Sequence, residues 1–166
     1  MGDRLARPVL AAVRRHPVLD DVPCEWSRGE YRITTDRREI VPRLGAVLAM
    51  IRQEHWGGHL TLDVLERGTA QSISLAMLEG PRLVGFARTI TDLATFAYVS
   101  DVVIADGLRG RGLGTWLVEC LLAHPDLQGL RRVALLTRDA PGLYERVGFT
   151  HGPPEGRFYM ERRSPR

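Results

Sequence analysis

Lysine is missing from this chain of 166 residues, in which all 23 basic side chains are arginines. A Walker phosphate loop needs a lysine after its glycines, so that class of nucleotide site is excluded. The two cysteines, Cys24 and Cys120, form no C-x-x-C pair. No apolar run is long enough to span a membrane, and Arg14 and Arg15 interrupt the N-terminal apolar stretch that a secretory leader would need. We therefore expect a cytoplasmic protein with reduced thiols and no membrane association.

The charged residues give no sign of a nucleic-acid interface. The formal net charge is +3, and the arginines are scattered, with short pairs at 37–38 and 131–132. The arginines form no basic stripe with aromatic residues between them. Their scattered spacing favours an ordinary solvated surface. The positive balance can still steer an anionic ligand towards the protein.

A glycine-rich turn is the most informative stretch of the chain. Residues 109–114 read RGRGLG, follow the apolar run 96–104 and precede the helical pattern 115–122. A turn between a buried strand and a helix leaves several backbone N–H groups unpaired, and the helix dipole adds positive charge at the same place. The turn is therefore predicted to bind a phosphate or pyrophosphate.

The spacing of the turn separates it from a dinucleotide fingerprint. Its glycines fall at 110, 112 and 114, whereas the fingerprint has the wider spacing G-x-G-x-x-G. The fingerprint also needs an acidic residue at the end of the next strand, which here reads Leu136-Thr137-Arg138.

A second motif lies downstream, where residues 139–149 read DAPGLYERVGF. Ala140, Leu143 and Tyr144 give the pattern A-x-x-L-Y within a short helix. Gly148 stands where such a helix needs a left-handed residue after its last turn. Phe149 is then expected to begin the next strand.

The two motifs, in this order and separated by a helix and one strand, resemble the pyrophosphate loop R-x-x-G-x-G and the A-x-x-L-Y helix of the GCN5-related N-acetyltransferases (GNATs). The resemblance implies an enzyme that moves an acetyl group from acetyl-CoA directly to a primary amine, without a covalent enzyme intermediate. The acceptor would be a small-molecule amine or a protein amine, and no metal would be needed.

The resemblance implies one α/β domain of mixed α+β type over residues 30–166, with a central twisted mixed sheet and helices on both faces. The apolar pattern predicts the element order β-α-α-β-β-β-α-β-α-β-β, including one helix over 36–54, a strand over 131–137 and a final strand pair near 149–151 and 157–162. Asp36 is the expected N-cap of the first helix, with Glu39 at the capping-box position. Pro42 falls in the second turn of that helix, where it can delay the helix start.

Residues 1–29 are expected to form an extension with a short amphipathic helix. Whether this extension packs on the domain, makes a homodimer contact or stays mobile is left open.

The resemblance also implies a cofactor site. A β-bulge would splay the central strand, so that free backbone groups of Val102, Val103 and Ile104 pair with the pantetheine arm. One of these N–H groups would polarise the thioester carbonyl. The pyrophosphate would lie on the backbone of Arg109, Gly110, Arg111, Gly112, Leu113, Gly114 and Thr115.

Tyr144 is the candidate general acid, because a phenol can deliver a proton to the departing CoA thiolate. The alternative is a structural tyrosine whose ring anchors the short helix. Thr137 departs from the family pattern, in which an Asn at this place often holds the cofactor arm.

The general base stays open. Many relatives carry Glu where this chain has Ser100, and serine cannot act alone as a base. Asp101 is the second catalytic candidate, although neighbours on a strand face opposite sides unless a bulge rotates one of them. Glu54 and a relayed water are further candidates, and Glu54 and Ser100 are both expected to border the acceptor.

Two histidines, His55 and His59, flank a Trp-Gly-Gly sequence. They would need an unbroken helix to share one face, and the glycines break it, so we expect no metal. Trp56 either lines the acceptor pocket or is an ordinary hydrophobic plug.

Two alternatives to acetyl transfer remain. One is an acyltransferase that uses a different acyl-CoA. The other is a non-catalytic acyl-CoA-binding regulatory module, which the missing acidic residue at Ser100 keeps open.

Overall fold

The computed structural model describes residues 22–152 and residue 160. The helix predicted near the N-terminus lies outside the described residues, as does most of the strand predicted at 157–162. No helix in the described part is long and apolar enough to cross a bilayer.

One sheet of six strands forms the centre of the described part. Its strands are Glu25–Arg28 (β1), Tyr31–Thr34 (β2), Ile73–Glu79 (β3), Arg82–Thr91 (β4), Phe96–Ile104 (β5) and Arg132–Ala134 (β6). Each strand pairs with its neighbours in chain order; β1 to β5 are antiparallel, and β6 runs parallel to β5. The predicted mixed sheet is confirmed.

Helices cover both faces of this sheet. They are Arg37–Ile40 (α1), Leu44–Gln53 (α2), Leu62–Ala70 (α3), Leu113–Leu122 (α4) and Pro141–Glu145 (α5). Buried residues of α1 to α3 pack with Ala76 and Phe86 on one face, and those of α4 pack with Leu75 and Val84 on the other. Leu75 and Ala76 are adjacent and both 0% exposed, because successive strand residues point to opposite faces.

The sheet begins inside the segment predicted as an extension. β1 pairs with β2 through Trp26 and Ile33, and Trp26 packs against the core there. The tight turn between the two strands contains Gly29 at φ 58°, a conformation that hairpin turns of this length require. The boundary expected at residue 30 therefore divides a β-hairpin.

The single helix predicted over 36–54 is wrong. A 3₁₀ turn, Val41–Arg43, separates α1 from α2. Pro42 in this turn has no N–H to donate to the carbonyl four residues earlier, so the α-helical hydrogen bonding breaks there.

The start of α1 agrees with the predicted cap but not with the full capping box. The Asp36 carboxylate accepts a hydrogen bond from the backbone N–H of Arg38 at 2.8 Å. Glu39 does not reach back to the cap; it accepts two hydrogen bonds from Arg32, at 2.9 and 2.7 Å.

The strand predicted near 149–151 is also wrong, because α5 ends in a Schellman motif that turns the chain. Gly148 has φ 93°, and the N–H groups of Gly148 and Phe149 donate to the carbonyls of Glu145 and Tyr144, each at 3.1 Å. Phe149 then packs edge-on against Tyr144, with ring centroids 5.9 Å apart.

Close packing around Gly85 gives a test of this core. A Cβ at Gly85 would lie 2.8 Å from Ile104 Cδ1 and 3.2 Å from Met77 Cβ. We expect Gly85→Ala to lower the free energy of unfolding by about 1–3 kcal/mol, because the buried Ile104 side chain must move and the Met77 Cβ and Val103 carbonyl oxygen crowd the added methyl group. Urea titration followed by tryptophan fluorescence measures this.

The matched control is Gly45→Ala on the exposed side of α2, where an added Cβ would meet nothing within 4 Å. That variant should gain up to about 1 kcal/mol from helix propensity. Equal stability changes in the two variants would contradict the packing described here.

Candidate active site

The site begins where β5 and β6 part. They pair only through Phe96↔Arg132, Ala97↔Val133 and Tyr98↔Ala134. β5 continues to Ile104, whereas β6 stops at Ala134, three residues before the end predicted for this strand. One edge of β5 is thus left facing a cleft of about 840 Å³.

Most residues that the sequence analysis singled out line this cleft. They are Glu54, Trp56, Ser100, Asp101, Val102, Val103, Ile104, Arg109, Gly110, Gly112, Gly114, Thr115 and Tyr144. Arg111 and Leu113 do not: Arg111 is exposed to solvent, and the Leu113 side chain is buried in the core.

The glycine loop turns the chain from β5 into α4. Gly110 and Gly112 have φ values of 76° and 77°, which side chains rarely adopt. The first backbone donor of the α4 ladder is Trp116, bonded to the Gly112 carbonyl at 3.1 Å. The N–H groups of residues 113–115 precede it and have no intrahelical partner. These N–H groups and the helix dipole lie where the sequence predicts an anion site, and that site stays a prediction.

Gly114 has a different reason to be glycine. A Cβ there would lie 3.0 Å from Leu143 Cδ1 and 3.7 Å from Ile104 Cγ1. The absence of a side chain therefore lets α4 approach both α5 and β5. This contact joins the two sequence motifs in space, with the glycine loop and the Tyr144 helix on neighbouring walls of the cleft.

Arg109 is held at the mouth of the loop by three oxygens. Its Nε donates to the Ile104 carbonyl at 3.2 Å, and its Nη2 lies 2.9 Å from Asp106 Oδ1. The same Nη2 forms a short ion pair with the Glu54 carboxylate. Glu54, which the sequence analysis expects to border the acceptor, is therefore joined to the glycine loop by this ion pair.

A β-bulge decides how Ser100 and Asp101 face the cleft. Ser100 lies opposite Arg88 on β4 and Val103 lies opposite Phe86, so two residues of β5 face the single residue between them. Asp101, the first of these two, has φ 53°. The bulge rotates Asp101, and both Ser100 and Asp101 line the cleft.

The Asp101 carboxylate already has two hydrogen-bond donors. Ser100 Oγ donates to Oδ1 at 3.1 Å, and Arg88 Nε makes a short ion-paired contact to Oδ2. The side chains of Arg88 and Asp101 are only 15% and 11% exposed. Sequence reasoning missed Arg88, although an arginine within the apolar run of β4 implies a buried partner.

The Tyr144 phenol lies half-buried in the cleft wall. Burial raises its pKa, and the nearby Tyr98 phenol raises it further. The Tyr144 hydroxyl has no hydrogen-bond partner within the described part of the chain. It is thus a protonated donor at neutral pH that is free to bond a ligand in the cleft.

The segment that follows α2 forms the rim of the cleft that faces Asp139. His55 Nδ1 lies 3.1 Å from Asp139 Oδ2, across the cleft. Trp56 is 44% exposed, which does not fit a hydrophobic plug. A Cβ on Gly57 would lie 1.8 Å from the Ile51 carbonyl oxygen, so this tight turn requires glycine.

A second cavity of about 280 Å³ opens beside the cleft. It shares Trp56 and Asp101 with the cleft, and its other lining residues are Ile51, Gly57, His59 and Leu60. Asp101 therefore stands at the junction of the two cavities. Among the described residues, no cluster of three or more His, Cys, Asp or Glu side chains could hold a metal ion.

The chain is similar in sequence to known acetyltransferases. The profile of the Acetyltransferase (GNAT) family matches residues 30–149. A Gibberella zeae protein provisionally named an acetyltransferase is 32% identical over 145 residues, covering 74% of this chain and 80% of the relative. N-alpha-acetyltransferase 80 of Mus musculus is 38% identical over 86 residues, covering 50% of this chain and 27% of that protein.

A solved structure agrees with the sequence relatives. It is the crystal structure of a Xanthomonas campestris pv. campestris protein provisionally assigned to the GNAT family as an acetyltransferase. The two chains are 38% identical and superpose with a TM-score of 0.75. The match covers 84% of this chain and 96% of the other. The protein described here therefore belongs to the GNAT acetyltransferase family.

Proposed function

We propose that this protein transfers the acetyl group of acetyl-CoA directly to a primary amine. One observation carries the proposal: the glycine loop and the Tyr144 helix line the same cleft, beside the unpaired edge of β5. Anion-binding N–H groups, a strand edge and a protonated phenol are the groups that a CoA thioester needs. Family membership supports an acyl-CoA donor.

The donor would lie along the cleft from the loop to Tyr144. Its pyrophosphate accepts hydrogen bonds from the N–H groups of residues 113–115, at the start of α4. Its pantetheine arm pairs with the backbone of Val102, Val103 and Ile104 as an added strand would. The cleft volume of about 840 Å³ lies within the usual range for cofactor sites.

The chemistry needs no covalent enzyme intermediate. The neutral amine attacks the thioester carbonyl, and an N–C bond forms while the carbonyl electrons move to oxygen. A backbone N–H of β5 stabilises this oxyanion. The oxyanion then re-forms the carbonyl as the C–S bond breaks, the electron pair of that bond goes to sulfur, and Tyr144 protonates the thiolate. The amide nitrogen loses its extra proton through water, which also returns a proton to Tyr144.

Asp101 fits an anchoring role better than that of a strong base. Its two oxygens already accept hydrogen bonds from Ser100 and Arg88. Each oxygen retains a lone pair, so the carboxylate can still accept an N–H of the acceptor amine. Ser100 supports that carboxylate, and the proton leaves through water.

The acceptor would enter through the second cavity, between Trp56 and Asp101. A volume of about 280 Å³ admits one small amine or the end of a peptide. The name of the Mus musculus relative refers to α-amino groups, so protein N-terminal amines join small amines as acceptors to be tested.

Turnover tests the proposal. Purified protein is incubated with acetyl-CoA and a panel of small amines and N-terminal peptides, and thiol release is followed together with the mass of the acetylated product. Amine-dependent release supports the proposal. Binding of acetyl-CoA without release by any amine would leave the regulatory-module alternative, and release only from succinyl-CoA or another acyl-CoA would change the donor.

Substitution of the phenol tests the acid. We expect Tyr144→Phe to lower kcat by about 10²- to 10⁴-fold, because the thiolate loses its proton donor. The dissociation constant for acetyl-CoA, measured by calorimetry, should stay within twofold. Tyr31→Phe is the matched control, since the pKa of Tyr31 is also raised but its side chain lies outside the cleft. Unchanged kcat in Tyr144→Phe would contradict the acid role and favour a structural role for the Tyr144 ring.

The Glu54–Arg109 ion pair predicts competition with the donor. Glu54 occupies the guanidinium that lies beside the pyrophosphate loop, so Glu54→Gln should bind acetyl-CoA about two- to fivefold more tightly. Glu119→Gln is the control, because Glu119 contacts Arg28 at the surface, away from the cleft. Weaker binding by Glu54→Gln would mean that Glu54 orders the loop instead of competing with the donor.

A further inference from the structure

Arg88 is a buried charge that neither sequence motif contains. It follows four buried residues of β4, Val84 to Ala87, and its side chain is only 15% exposed. Arginine is rarely buried without a partner that compensates its charge. Here the partner is Asp101, which lies at the junction of the two cavities.

The guanidinium is fixed from both ends. Its Nε bonds to Asp101 Oδ2, and its Nη1 donates to Ser72 Oγ at 3.1 Å. Ser72 Oγ in turn donates to the Gly68 carbonyl near the end of α3, at 2.7 Å. A Cβ at Gly68 would lie 3.5 Å from the guanidinium carbon, so Arg88 packs directly against α3.

This arrangement supports an unfavourable backbone. Asp101 has φ 53°, in the left-handed region, where the Cβ of a residue other than glycine crowds the following carbonyl oxygen. Such strain persists only where the surroundings impose it. Arg88, together with Ser100, supplies that restraint by bonding both carboxylate oxygens.

We infer that Arg88 is a positioning residue for acetyl transfer: it holds the Asp101 carboxylate where the acceptor cavity meets the donor cleft, so that Asp101 orients the acceptor amine. This inference rests on the proposed function. It extends that function from the residues lining the cleft to a chain of contacts through β4 and the end of α3.

The orientation matters because a small error in placing the nucleophile is costly. A displacement of about 1 Å from the attack geometry can lower the rate of a reaction by roughly 100-fold. Arg88 lines neither cavity and contacts Asp101, which lines both, so its loss should reach the acceptor through that carboxylate and leave donor binding unchanged. A residue that only stabilises the fold would not separate the two substrates in this way.

The test uses the full chain and whichever amine gives turnover in the panel. Arg88→Ala should lower kcat/KM for the amine by about 10- to 100-fold, while the dissociation constant for acetyl-CoA stays within twofold. Guanidinium chloride at a non-denaturing concentration should restore part of the activity. Arg82→Ala is the matched control: it removes an arginine of the same strand whose partner, Glu79, lies outside the cleft.

A double variant separates positioning from a general loss of stability. Arg88→Ala combined with Asp101→Asn should be no less active than Asp101→Asn alone, because Arg88 acts only through that carboxylate. Additive losses would overturn the inference, as would kcat/KM within twofold of the wild type in Arg88→Ala. Arg88→Lys keeps the charge and covers the case in which Arg88→Ala does not fold; full activity with the lysine would overturn the inference, which requires the fixed geometry of the guanidinium.

Failure of the proposed function has a separate signature. If the wild type binds acetyl-CoA but acetylates no amine, the backbone amide resonances of residues 101 and 102 still report on the bulge. Arg88→Lys should shift them and Arg82→Lys should not. Unshifted amides in Arg88→Lys would overturn the role of Arg88 whatever the protein catalyses.

Discussion

The parting of β5 from β6 is the constraint on which the rest of this structure depends. A parallel pair that stayed in register would satisfy the backbone groups of both strands and leave no room for a ligand. Here the pairing stops at Tyr98↔Ala134, and the edge of β5 beyond Tyr98 faces the cleft without a neighbouring strand. The backbone groups along that edge are the ones with which the proposed cofactor arm would pair.

The glycines around this cleft serve two distinct physical ends. Gly110 and Gly112 supply the left-handed backbone that aims N–H groups at one point. Gly114 instead supplies clearance, because a Cβ there would lie only 3.0 Å from the Leu143 side chain of α5. In the proposed function, the first two glycines would shape the pyrophosphate site, and the third would let the Tyr144 helix lie close to it.

The sequence predicts the parts of the molecule that rest on local rules. Strand–turn–helix order, the Asp36 cap and the left-handed Gly148 follow from neighbouring residues, and the structure has all three. The apolar face is continuous across Pro42, so periodicity alone predicts one helix where the missing N–H of the proline divides it into α1 and α2. The Arg88–Asp101 pair spans 13 residues and depends on a one-residue bulge. No periodicity in one strand reveals a partner in another, so this contact could not be deduced from the sequence.

The use of arginine instead of lysine has a chemical consequence in this cleft. Three carboxylates that line it, Glu54, Asp101 and Asp139, are each paired with an arginine. Guanidinium groups stay protonated at any physiological pH and do not attack a thioester. A lysine in the same places would offer a primary amine, which is the kind of group that the proposed reaction acetylates. In the proposed reaction, arginine would therefore compensate the carboxylates around the acyl donor without adding a side-chain amine that competes with the acceptor.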